Sequence, residues 1–142
     1  MKILIIGSGL QYKRRISALK SIDSIISLSR SGLSDSEAYK KFINIKLNDI
    51  DAAIICNPPS LHHRYAFHLI NNKIPTLCEK PLTSKSKDAK DLLDLSKKNR
   101  TLLQCGFNHR FHPSVIKAKK LITKNFIGKI INIRATYGMC GR

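Results

Sequence analysis

The sequence predicts an α/β fold built on a doubly wound parallel sheet, and three observations predict it. Short, continuous apolar runs recur at residues 2–6, 52–56, 74–78 and 102–106, each followed by a polar or glycine/proline turn and then by helical spacing. Uninterrupted runs of this kind are what strands buried on both faces look like. Gly7-Ser8-Gly9 directly follows the first run, and Cys78-Glu79-Lys80-Pro81 closes another. The second motif puts a cation at a strand's carboxyl end, where ligands bind in open parallel sheets.

The first expected strand is residues 2–6. About three turns of helix follow to Ser21, with Leu10, Ile16 and Leu19 able to share its inner face. Strand, glycine turn and helix in that order are the context of a dinucleotide fingerprint of the Rossmann type, with a plain structural turn as the alternative. The first glycine makes the turn and the second lets backbone approach a pyrophosphate. The helix N-terminus adds free N–H groups and positive partial charge. Gly7, Gly9 and Leu10 are therefore cofactor-binding candidates. Tyr12 stands at the third fingerprint position, where Gly or Ala normally lets helix and strand pack closely. It must either tilt the helix outward or point elsewhere.

Residues 24–29 read as the second strand, ending in Ser29-Arg30-Ser31-Gly32. An acid here would suit the ribose hydroxyl of NAD. Ser29 and Arg30 suit the 2′-phosphate of NADP, so NADP is favoured over NAD. Ser34-x-x-Glu37 has the spacing of a capping box and opens a helix to about Phe42. Residues 44–47 suggest a short strand. After residues 52–56, Asn57-Pro58-Pro59-Ser60 stops the ladder and Ser60 can cap a helix over 61–72. Its apolar face is Leu61, Ala66, Leu69 and Ile70. His62, in its first turn, is either a structural histidine or faces the cofactor crevice.

After the Glu79-Lys80-Pro81 turn, Ser84 or Ser86 starts a helix to about Asn99. Residues 107–113 form a loop dense in polar and aromatic groups, and Pro113 suits the first turn of a helix to about Lys124. Residues 129–137 alternate apolar and polar, the pattern of a strand in an open-faced sheet.

Composition narrows the function class. A chain of 142 residues with 42% hydrophobic content suits one domain with a real core. Its four cysteines form no C-x-x-C pair or tight cluster, and read as small buried hydrophobes rather than metal ligands or disulfides. No run approaches the ~18 residues of a membrane span or has the form of a signal peptide, so a cytoplasmic location is expected. The net charge is +17, with 15 basic and 3 acidic residues in 80–142. Such a balance raises nucleic acid as a partner. The lysines are scattered at helical spacing and aromatics are only 6%, without a stacking stripe, so specific nucleic-acid binding is not expected.

Several blocks together resemble one family. They are Gly7-x-Gly9, Asn57-Pro58-x-x-x-His62, Cys78-Glu79-Lys80-Pro81-Leu82, Gly106-Phe107-Asn108-x-Arg110-Phe111-x-Pro113 and Gly128-Lys129-Ile130. The chain resembles the N-terminal part of the glucose-fructose oxidoreductase, inositol dehydrogenase and rhizopine-catabolism (Gfo/Idh/MocA-like) oxidoreductases. The resemblance implies an NAD(P)-dependent oxidoreductase acting on a sugar, an inositol or a related polyol. It implies that Lys80 sits by the nicotinamide and the reacting hydroxyl, and that Glu79 orients it. It puts Asn57, Pro58 and His62 on the cofactor side, and Asn108 and Arg110 nearest the substrate. Arg15 departs from the family, which often carries a histidine there.

On the same resemblance, residues 1–124 are the dinucleotide-binding domain and 125–142 begin an incomplete α+β sheet domain. Family members continue into that domain, which carries further catalytic residues and the oligomer interface. The chain is thus expected to be truncated, with oligomers possible only through the missing part. The alternative to an active oxidoreductase is a catalytically inactive cofactor-binding remnant or regulatory module. A basic nucleic-acid-associated protein is the least favoured reading.

Overall fold

The structure is a computed structural model and describes residues 1–19, 24–29, 31–136 and 138. The chain divides into two compact units, Met1–Phe107 and Asn108–Arg142.

The first unit is a five-stranded sheet in which every pairing is parallel, with order β2-β1-β3-β4-β5. The strands are β1 (Lys2–Ile6), β2 (Ser24–Leu28), β3 (Ala52–Ile55), β4 (Thr76–Cys78) and β5 (Leu103–Cys105). Helices α1 (Leu10–Ala18), α2 (Asp35–Ile43), α3 (Pro59–Asn71) and α4 (Ser86–Asn99) connect them. The chain leaves β1 toward β2 on one side and continues from β3 on the other. The strand order therefore reverses beside β1, which opens a crevice at the carboxyl ends of β1 and β3.

Alternation along β1 explains the two faces of the core. Leu4 and Ile6 join Ala53, Ile55, Phe42, Tyr65, Leu69 and Leu92 in the larger cluster. Ile3 and Ile5 join Ile54 on the opposite face, covered by Tyr12, Ile16 and Leu19. The capping box forms as expected: Ser34 Oγ accepts from Glu37 N–H at 3.3 Å, and Ser34 N–H donates to Glu37 Oε2 at 2.8 Å. Each removes an orphan donor at the start of α2.

Four local expectations are corrected. Residues 44–47 are not a strand. Asn44 caps α2, Ile45 N–H turns back to Phe42 O at 3.0 Å, and Leu47–Asp49 forms a 3₁₀ turn. Ile45 and Leu47 are apolar because they pack against the core, not because they pair in a ladder. Leu10 does not share the inner face of α1; it is 60% exposed, and Tyr12 takes that place. Helix α3 begins at Pro59, with Pro58 rather than Ser60 at its cap, because proline's fixed φ suits the first helical position. The helix expected to reach Ser21 ends at Ala18, and residues 20–23 lie outside the described residues.

The second unit holds a 3₁₀ turn, Asn108–Phe111, and α5 (Pro113–Thr123). The expected strand over 129–137 is absent over 129–136, and Tyr137 lies outside the described residues. Ile131 and Ile133 of that stretch are exposed. Alternation alone cannot make a strand, since ladder hydrogen bonds need a neighbour, and no described strand pairs with this stretch.

Candidate functional site

At the strand reversal lies a cavity of about 390 Å³. Gly7, Ser8 and Gly9 form one wall, Asn57 and Pro58 another, and Ser29 reaches in from the end of β2. Ala38, Cys56, Leu61 and Tyr65 close the apolar side.

The two glycines do different work. Gly7 has φ of +125°, and its N–H donates to Leu28 O at 2.9 Å. A Cβ on it would lie 2.8 Å from the Cys56 carbonyl carbon and oxygen. Protein packing therefore demands this glycine. Gly9 caps α1 in extended backbone, and a Cβ there would meet nothing within 4 Å. Open space above a helix N-terminus, with no acid in the helix's first turn, suits an anionic group.

Both polar atoms of the Asn57 amide are buried and have no hydrogen-bond partner. Unpaired buried polar atoms are costly, so this amide fits a ligand's donor and acceptor. Ser29 Oγ accepts from Ser31 N–H at 3.1 Å. These features fit a dinucleotide: an open glycine, an uncapped helix N-terminus and an amide with unmet bonding capacity.

A second cluster lies at the end of β4. Glu79 is buried, and its N–H donates to Ile55 O at 2.9 Å. Its Oε1 accepts from Arg15 Nε at 2.8 Å and also from Arg15 Nη2. Gly106 faces the other carboxylate oxygen, where a Cβ would sit 3.0 Å away. Burial, and next the Glu79 charge, push the Cys56 thiol up to about 11, with Arg15 opposing. A thiol so raised is no nucleophile near neutral pH. Burial likewise pushes the Cys78 and Cys105 thiols up.

His62 is only 1% exposed. Its Nδ1 lies 2.8 Å from Pro81 O and its Nε2 lies 2.8 Å from Asn57 O. The ring thus bridges the cavity wall and the turn after Lys80. Lys80 itself is exposed, and the Lys80–Pro81 peptide is cis.

Of the residues singled out from sequence, Gly7, Gly9, Ser29, Asn57 and Pro58 line this cavity. Leu10, His62, Glu79 and Lys80 are not among its lining residues. Arg30 lies outside the described residues, and Asn108 and Arg110 belong to the second unit. Sequence reasoning missed Tyr65, which shares a helix face with Leu61, and Arg15 as the partner of Glu79. The first was readable from the four-residue spacing. The second joins residues 64 apart and left no local signal.

Residues 1–107 match the model of an oxidoreductase family with an NAD-binding Rossmann fold, the Gfo/Idh/MocA family. Levoglucosan dehydrogenase of Pseudarthrobacter phenanthrenivorans is 34% identical over 89 residues, covering 63% of this chain and 23% of that enzyme. Inositol 2-dehydrogenase 4 of Saccharopolyspora erythraea is 33% identical over 86 residues, covering 60% of this chain and 25% of that enzyme. The fold is similar to the scyllo-inositol dehydrogenase of Lactobacillus casei, solved with NAD(H) and scyllo-inositol. The TM-score is 0.71 at 21% identity, over 90% of this chain and 42% of that one. The matched stretch thus spans about a quarter of those two curated relatives.

Proposed function

Because this chain belongs to the oxidoreductase family with an NAD-binding Rossmann fold, we propose that its first unit binds NADP or NAD at the cavity between Gly7 and Asn57. We propose further that Lys80 serves hydride transfer at a hydroxyl of a sugar, an inositol or a related polyol. The observation that carries the reading is the unpartnered, buried Asn57 amide in a cavity at the strand reversal.

Gly7, Gly9 and the start of α1 at Leu10 would hold the pyrophosphate, Asn57 and Pro58 would form the facing wall, and His62 and Glu79 would support it. Ser29 and Arg30, with no acid at the end of β2, favour the 2′-phosphate of NADP. The bound nicotinamide supplies the hydride acceptor or donor. The Lys80 ammonium would stabilise negative charge developing on the substrate oxygen. Asn108 and Arg110 would contact the substrate, on the family resemblance. The substrate class draws its support from the inositol and levoglucosan dehydrogenases among the relatives.

A thermal melt without ligand, with NADH and with NADPH tests the binding. A ligand at about 100 times its dissociation constant adds roughly 2.7 kcal/mol. That should raise the midpoint by about 5–10 °C, and at equal, lower concentrations of the two cofactors NADPH should raise it more than NADH. A midpoint moved by neither overturns the reading. Binding without turnover of any inositol or sugar would leave a cofactor-binding module without catalysis.

A further inference from the structure

We infer that Arg15 is a positioning residue: it holds Lys80 through Glu79, so that the helix opening at the cavity also sets the lysine. The inference rests on the dinucleotide reading above and extends it to a residue that reading does not use. Glu79 has little freedom. Its backbone N–H is fixed to Ile55 O in the sheet. Its carboxylate is wedged between Arg15, two of whose nitrogens donate to Oε1, and Gly106, which leaves room for Oε2.

On the far side of Lys80, Pro81 O lies 2.8 Å from His62 Nδ1. Both neighbours of Lys80 are therefore gripped. Arg15 comes from α1 and His62 from α3, the two helices that begin at the cavity. Lys80 itself is exposed. An exposed ion pair would position nothing, because long side chains lose it readily. Here the carboxylate is buried and met by a rigid planar fork, which suits arginine and not lysine.

The test reads Lys80 directly. Lysines of the full chain are trace-labelled with acetic anhydride and quantified by peptide mass spectrometry, with and without saturating NADPH, using exposed Lys73 as the internal reference. In the wild type, NADPH should slow labelling of Lys80 relative to Lys73. In Arg15→Met, NADPH affinity should stay within about threefold. The protection of Lys80 should weaken by about fivefold or more. Arg15→Lys should restore it only in part.

Full protection of Lys80 in Arg15→Met at saturating NADPH overturns the inference while leaving the dinucleotide reading intact. Failure of the wild type to bind NADPH or NADH removes that reading, and this inference with it. If Arg15→Met does not melt cooperatively, the double variant Arg15→Met/Glu79→Met carries the same test, since it removes both members of the pair and leaves no buried charge unmet. Undiminished protection there is equally fatal.

Discussion

Gly7 approaches Cys56 more closely than any side chain at residue 7 would permit: a Cβ there would lie 2.8 Å from the Cys56 carbonyl carbon and oxygen. Gly9, two residues on, has open space where its Cβ would be. The protein's own packing requires the first glycine; on the proposed function, the second leaves room for the dinucleotide. Gly7→Ala should cost about 1–3 kcal/mol from clash and from its positive φ. The melt midpoint should fall by roughly 2–11 °C. Gly9→Ala should melt like the wild type without ligand yet lose most of the NADPH-induced rise. Equal melts for both variants would show that the contrast has no energetic content.

Lys80→Ala removes an exposed side chain, so the ligand-free melt should move by less than about 2 °C. Hydride transfer, followed by nicotinamide absorbance with inositols and sugars, should fall by about 10²-fold or more. Turnover that survives the substitution would remove the catalytic assignment.

Arg30→Asp should move preference from NADPH toward NADH, because an acid repels the 2′-phosphate and accepts from the ribose hydroxyl. The ratio of the two dissociation constants should change by about tenfold. A constant ratio would count against the 2′-phosphate reading of Ser29-Arg30.

His68 lies on α3, edge-on to the Phe42 ring at 5.0 Å between centroids. Burial holds its imidazole below the ordinary 6.5. The unfolded chain takes up a proton as pH falls through 6.5, while the folded chain resists until lower pH. Stability should therefore drop on acidification below 6.5, and His68→Gln should flatten that part of the profile. Melts from neutral pH to about 5 would check it, and identical slopes for the two proteins would refute it.

Most strands of the first unit were legible in the sequence because burial on both faces writes itself as continuous apolar residues. Residues 2–6 are the clearest case, a buried run stopped by glycine. Capping was legible at Ser34 and Glu37, since both partners lie within one turn. The short apolar stretch at residues 44–47 misled, because core packing and ladder pairing ask for the same residue types. The stretch at 129–136 misled for a related reason: alternation records which face would be buried, but not whether a neighbour is present.

The sequence by itself determined the strand–helix order, the glycine turn after β1 and the Glu-Lys-Pro turn after β4, all set by local sterics and hydrophobic period. Tertiary structure alone decided that Gly7 abuts Cys56, that the Asn57 amide is left unpaired at a cavity, and that Tyr12 packs on the sheet with its hydroxyl 2.6 Å from Ser27 Oγ. It also decided that Arg15 finds Glu79, and His62 finds Pro81. These are meetings between residues distant along the chain. Local sequence carries no record of them, because they exist only once parallel strands have brought their carboxyl ends side by side.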